Sequence, residues 1–249
     1  MPESLTVTFE APSSVDALTT KVFADGADLE QILKLAENSR IKGFTTNPSL
    51  MWKAGLTDYT EFAHRLLERI TEHPVSFEVF ADDAREIARQ ARLITKWGPN
   101  VYVKVPVTTT DGRSMAPVVK RLSESGIQVN VTAVFTPQQV ETITEAVKDG
   151  APSYISVFAG RIADAGVDPI PIMRESVEIM RAAPESELIW ASPREVLNIV
   201  QADSVGCHII TVTHDLLKKL DSIGKDLEDF SLETVRMFHT DAQTAGFEL

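Results

Sequence analysis

From residue 21 onward, short runs rich in β-branched and aromatic residues alternate with stretches whose apolar residues recur at helical spacing. The runs are KVFAD (21–25), KGFTTN (42–47), VSFEVF (75–80), VYVKVPV (101–107), IQVNVTAVF (127–135), SYISVF (153–158), ELIWAS (187–192) and HIITVT (208–213). Between them lie amphipathic segments such as DDAREIARQARLITKW and TPQQVETITEAVKDG, the second opening on a threonine cap followed by proline. Eight such strand-helix units predict an α/β chain closed into an eight-stranded parallel (β/α)8 TIM barrel. An open doubly wound sheet is the rival, and it would normally carry a glycine-rich phosphate loop that this sequence lacks.

Period two within the strands gives each polar residue a direction. In VYVKVPV the valines share one face, and Tyr102, Lys104 and Pro106 share the other. Glu78, Lys104, Asn130 and Ser156 follow one another at intervals of 26 residues, each on the face opposite its strand's aliphatic row. A parallel barrel packs the aliphatic row under its helices and turns the other row inward. Lys104 is therefore expected inside, with Glu78 on one side and Asn130 and Thr132 on the other. Asp25, Thr45, Asn47 and Ser192 fall near the C-terminal ends of their strands, where barrel enzymes keep their sites.

An inward lysine has two readings. It can neutralise Glu78 or Asp25 as a buried pair, which stabilises little because both charges lose their hydration. It can instead attack a substrate carbonyl and use the resulting iminium as an electron sink. The second reading accounts for the accompanying Thr, Asn and Ser residues, which a single pair would not require. Attack needs a neutral amine, so apolar walls such as Phe158 and Trp190 are expected beside it. The Glu78 carboxyl, a water and the Thr132 hydroxyl suit the proton transfers of carbinolamine formation and dehydration. Asp25 is then free to serve the carbon-carbon bond being broken. Arg161 after the sixth strand and Arg194 after the seventh read as a phosphate clamp, with Ser192 capping a helix that has Pro193 at its first position. Surface pairing of the two arginines with Asp164 and Glu195 is the alternative.

Composition narrows the partners. With 36 acidic and 24 basic residues in 249, the net charge of −12 opposes binding to nucleic acid or an anionic membrane, while a local basic pocket could still hold a phosphorylated metabolite. Cys207 is the sole cysteine, which points to a reducing, cytoplasmic home. The five histidines show no ligand spacing, so no metal is expected, and His208 reads as a core or hydrogen-bonded residue. Residues 1–20 carry an early acid and no long apolar run, and read as a mobile or loosely docked extension rather than a signal peptide or membrane span. Residues 21–249 are expected to form one barrel domain ending in a helix at about 229–246. Leu232, Val235, Phe238 and Ala242 share a face of that helix, which would fold back on the barrel or clasp a neighbour in a homo-oligomer.

Taken together, VFAD, GFTTNPSL, SFEVF, VYVKVPV, NVTAVF, ISVFAGRI and WASPRE resemble, in order, the motifs of the transaldolases, Schiff-base enzymes of the class I aldolase type on an eight-stranded barrel. The resemblance implies that Lys104 forms the Schiff base, that Asp25 is the acid/base for cleavage, and that Glu78 with Thr132 manages a catalytic water. It further implies that Asn47, Asn130 and Ser156 hold the dihydroxyacetone unit or substrate hydroxyls, and that Arg161, Ser192 and Arg194 bind the phosphate, with no cofactor. The donor would be fructose 6-phosphate or sedoheptulose 7-phosphate and the acceptor an aldose phosphate. The same family contains fructose 6-phosphate aldolases, which release free dihydroxyacetone and look to carry glutamine at the position of Glu78 and tyrosine at that of Phe158. Carboxylate and phenylalanine here favour transfer. A transaldolase of seven- or eight-carbon sugars and a non-catalytic sugar-phosphate-binding barrel remain open. In the short relatives such C-terminal tails build ring-like oligomers.

Overall fold

The computed structural model describes residue 12 and residues 14–248. The rest of the expected extension, residues 1–11 and 13, lies outside the described residues. Eight strands, β1 (Lys21–Asp25), β2 (Ile41–Thr45), β3 (Val75–Glu78), β4 (Val101–Pro106), β5 (Val129–Val134), β6 (Tyr154–Val157), β7 (Glu187–Trp190) and β8 (Ile209–Thr213), close in sequential order into a parallel barrel. The helices that bear on the site are α1 (Leu29–Ala36), α2 (Pro48–Lys53), α3 (Tyr59–Leu67), α4 (Ala84–Ile94), α5 (Ala116–Glu124) and α6 (Pro137–Val147) in the first half. The second half adds α7 (Ala159–Asp164), α8 (Pro169–Met180), α9 (Leu197–Ser204), α10 (His214–Leu217) and α11 (Leu227–Ala245).

Local sequence explains where the helices begin. Asp28, Asp58 and Asp83 accept from backbone N–H groups in the first turns of α1, α3 and α4, and Thr136 and Gln139 form a reciprocal capping box on α6. The outward rows of the strands (Val75 and Phe77, Val101, Val103 and Val105, Val129 and Val131, Ile155 and Val157) join the apolar faces of the surrounding helices in the main core. Inside the barrel a second cluster, with Phe23, Tyr154, Ile189 and Ile209, plugs the N-terminal end, where Tyr102 stacks on Tyr154 at 3.9 Å between ring centroids. Gly43 makes room for this plug: a Cβ there would lie 2.6 Å from the Phe23 ring. The cavity inside the barrel opens at the C-terminal ends of the strands.

Outside the barrel, residues 14–20 are docked: Thr19 and Thr20 both donate to Asp203, and the Thr20 hydroxyl donates to the Cys207 carbonyl. At the other end, α11 does not fold back on the barrel. None of its residues is buried, and Leu232, Val235 and Phe238 are all exposed. Among the described residues no helix is long and apolar enough to cross a membrane.

Candidate active site

A cavity of about 340 Å³ opens at the C-terminal rim, lined by Asp25, Thr45, Asn47, Glu78, Lys104, Thr132, Ser156, Phe158, Arg161 and Ser192 with neighbouring rim residues. Clefts of about 420 and 430 Å³ lie between α1, α2 and α3 and beside α1 and α10; the charged residues of the first, Asp28, Glu30, Asp58, Glu61 and Arg65, are all exposed, and neither cleft holds a buried amine. At the centre is Lys104, 6% exposed, the one charged residue among those described that is fully buried. Its Nζ donates to the Thr46 carbonyl at 2.9 Å and lies 3.9 Å from the Glu78 carboxylate. Register explains the pairing, for Glu78 stands opposite Lys104 on β3 and β4, and Lys104 opposite Asn130 on β4 and β5.

Two carboxyls flank the amine in different settings. Asp25 accepts from the Thr45 hydroxyl at 2.8 Å and from Asn47 Nδ2 at 3.5 Å. Asn47 is held for this by its backbone role: it caps α2, its Oδ1 accepting from the Leu50 N–H at 2.9 Å, which leaves Nδ2 for the aspartate. The Thr45 hydroxyl also meets that of Thr211, a cavity residue on β8 that the strand reading did not single out. Burial pushes the pKa values of Asp25 and Glu78 above the ordinary carboxylate range, with the Lys104 charge opposing the shift in both.

This has a consequence for stability. A carboxyl with a raised pKa keeps its proton in the folded chain over a window above the usual carboxylate pKa, where the unfolded chain has already released it. Folding stability therefore falls as pH rises through that window. Glu78→Gln is expected to remove the penalty, raising Tm at about pH 8 by ~2–4 °C for each ~1 kcal/mol recovered, with the gain shrinking toward about pH 4. Thermal scans at the two pH values check this, and an equal gain at both would contradict it.

Ser156 lines the far wall, and behind it its hydroxyl donates to Asn130 Oδ1 at 2.7 Å while Asn130 Nδ2 donates to the Ser76 hydroxyl at 2.9 Å, so Asn130 is fully buried and does not itself line the cavity. Equal spacing in sequence is not equal height here: Asn130 stands opposite Tyr154, two residues before Ser156, and the β5–β6 register shifts once more beyond it, between Val131 and Val134. The shift falls at Ala133, whose φ of 59° marks a bulge in β5. Beside it the buried Thr132 hydroxyl makes no hydrogen bond within the protein while lining the cavity, so it is available to a substrate or water.

Several expectations need correction. Trp190 is not a wall of the amine: it is fully buried in the outer core under the helices, while its neighbour Ile189 points inward. Phe158 does line the cavity, and the Arg161 guanidinium sits 5.3 Å from its ring centroid. Ser192 caps no helix. Its φ of 63° differs from the extended backbone a cap requires, and α9 starts only at Leu197, where Asn198 Oδ1 accepts from the N–H groups of Arg194 and Glu195. Arg194 is turned to Asp164 in a two-pronged pair rather than into the cavity, its Nε 2.9 and 3.0 Å from the two carboxylate oxygens. Gly160 ties the loops after β6 and β7 together: a Cβ there would fall 1.6 Å from the Ser192 carbonyl. His208, as expected, is hydrogen-bonded, its Nδ1 accepting from the Leu188 N–H at 3.0 Å. No group of residues suited to a metal ion is found among the described residues.

Fold and site together define a closed parallel barrel with a lysine-centred polar cleft at its carboxyl-end rim. Comparison places it further: the family model described as Transaldolase/Fructose-6-phosphate aldolase matches residues 22–249, and the chain belongs to that family. It is 34% identical over 201 residues to a probable transaldolase of Dehalococcoides mccartyi, covering 80% of this chain and 89% of that one. A probable transaldolase of Thermoanaerobacter sp. is 33% identical over 230 residues, covering 92% of this chain and 100% of its own. Among solved structures, a putative phosphonomutase from Burkholderia cenocepacia superposes with a TM-score of 0.57 at 10% identity over 89% of this chain and 94% of its own, a likeness of fold alone.

Proposed function

We propose that this chain is a transaldolase that moves a dihydroxyacetone unit from a ketose phosphate to an aldose phosphate through a Schiff base on Lys104. The observation that carries the reading is the buried Lys104 amine, 3.9 Å from Glu78 and sharing its cavity with Asp25 and the unpartnered Thr132 hydroxyl. The amine attacks the ketose carbonyl, and the carbinolamine loses water with Glu78 and Thr132 moving the protons. Asp25 takes the proton from the hydroxyl beside the scissile bond. That bond breaks, the aldehyde leaves, and the electron pair enters the iminium as an enamine. The acceptor aldehyde then adds to the enamine while Asp25 returns the proton, and hydrolysis frees the new ketose. Asn47, Asn130 and Ser156 are the partners for the dihydroxyacetone hydroxyls. Arg161 and Ser192 meet the phosphate, joined by Arg194 when it exchanges Asp164 for the anion; that exchange is easy for a pair so exposed. So written, the reaction needs no cofactor.

Transfer is favoured over simple cleavage because Phe158 lines the cavity and brings no hydroxyl to protonate the enamine. Glyceraldehyde 3-phosphate release from fructose 6-phosphate is therefore expected to stall after about one equivalent per site and to turn over when an aldose phosphate acceptor is added, measured by a coupled assay. Steady turnover without acceptor would identify an aldolase instead. The exposed apolar row on α11 supports assembly into a homo-oligomer, and the buried lone thiol of Cys207 supports a cytoplasmic setting.

A further inference from the structure

Where β2 meets β3, the backbone ladder stops before it reaches Glu78. Phe44 N–H reaches the Pro74 carbonyl at 2.9 Å and Thr46 N–H reaches that of Ser76 at 3.2 Å. Continued in the same register, the next two bonds would run from Glu78 N–H to the Thr46 carbonyl and from residue 48 N–H to the Glu78 carbonyl. Residue 48 is proline and has no N–H, while the Thr46 carbonyl accepts from Lys104 Nζ at 2.9 Å. Both backbone groups of Glu78 turn instead to one side chain on α3. Glu78 N–H donates to the Tyr59 hydroxyl oxygen at 2.6 Å, and that hydroxyl donates to the Glu78 carbonyl at 3.1 Å.

We propose that Tyr59 is a positioning residue for the lysine site. Its hydroxyl takes the place of the missing β2 edge at Glu78, leaving the Thr46 carbonyl to the amine and holding the Glu78 carboxyl 3.9 Å from it. A phenol fits because it both accepts and donates at one atom, and the two bonds to Glu78 need both functions. Burial keeps this hydroxyl protonated, with its pKa raised well above that of a free tyrosine. Its ring is fixed on three sides, 4.6 Å from Phe80, 5.6 Å from Trp97 and 6.0 Å from Phe77 between centroids, so the oxygen has little freedom to leave. Without the hydroxyl, Glu78 N–H would compete for the Thr46 carbonyl, and both the carboxyl and the amine would shift.

The role is tested with Tyr59→Phe, which keeps the ring and removes only the oxygen. Exchange of the Glu78 amide hydrogen is expected to quicken by about tenfold or more. Resting on the transaldolase reading, kcat is expected to fall by about ten- to a hundredfold, as a misplacement of ~1 Å can cost, with KM for fructose 6-phosphate within about twofold. Because the hydroxyl acts through Glu78, adding Tyr59→Phe to Glu78→Gln should cost little beyond Glu78→Gln alone. Unchanged Glu78 exchange, a Tyr59→Phe enzyme at full rate, losses that multiply, or a variant that does not fold would each overturn the proposal. If the wild-type chain forms no lysine adduct, the transaldolase reading fails by itself, and the amide exchange still decides whether Tyr59 holds Glu78.

Discussion

Replacing Lys104 by methionine is expected to abolish turnover, by at least about 10⁴-fold or ~5.5 kcal/mol of barrier at ~1.36 kcal/mol per decade, while the barrel folds and melts no earlier than the wild type. In the proposed scheme the amine supplies the covalent step, and among the described residues no other lysine lines the cavity to replace it. Methionine is close in length and apolar, so it suits the buried position without a polar group to satisfy. The loss of the amine leaves Glu78 and Asp25 without their positive neighbour, so the carboxyls hold their protons to still higher pH. Activity is read by the coupled assay and integrity by circular dichroism and thermal melting. A folded variant with measurable transaldolase rate would remove Lys104 from the chemistry.

Asp25→Asn is expected to carry the second largest effect. A positioned acid/base contributes about 10²–10⁴-fold, so kcat should fall within that range. Asparagine keeps an oxygen to accept from the Thr45 hydroxyl, which preserves the local frame and leaves KM for the ketose phosphate nearly unchanged. Schiff-base formation does not pass through Asp25 in this scheme, so the variant should still form an adduct on Lys104, with the whole ketose retained because the carbon-carbon bond is not cut. A collapse of binding with kcat preserved would make Asp25 a substrate-binding residue. Mass analysis of the trapped adduct separates the two.

Much of this site was legible in the chain because the strands that build it mix polar and aliphatic residues in strict alternation. In VYVKVPV and NVTAVF the alternation sets the phase, and Lys104, Asn130 and Thr132 all point inward as expected. The same rule applied to IITVT would have exposed Thr211, which shares its face with Ile209. ELIW offers no such phase: its apolar run is buried on both faces of the sheet, so nothing in the sequence says that Ile189 goes in and Trp190 goes out.

Other features depend on backbone events that side-chain patterns do not encode. The bulge at Ala133 uses a residue with no intrinsic preference for φ > 0, and the stagger that sets Asn130 opposite Tyr154 rather than Ser156 is not written in the 26-residue spacing. Ser192 looked like a cap because it precedes proline, but its backbone is left-handed and Asn198 satisfies the loop in its place. For Arg194 the sequence leaves a phosphate clamp and surface pairing as alternatives, and the structure holds its guanidinium in an exposed pair with Asp164. Tyr59 lies on a helix sixteen or more residues from the strand it serves, and its hydroxyl is needed only because Pro48 and Lys104 together end the ladder.

The central claim is that Lys104 forms a covalent imine with a ketose phosphate and cleaves it there. Incubation with fructose 6-phosphate, reduction with borohydride, intact-mass measurement and peptide mapping test it most directly. The account predicts a reduced dihydroxyacetone adduct on Lys104 and none on Lys104→Met. No adduct on folded protein from either fructose 6-phosphate or sedoheptulose 7-phosphate, or an adduct mapped to another lysine, would contradict it.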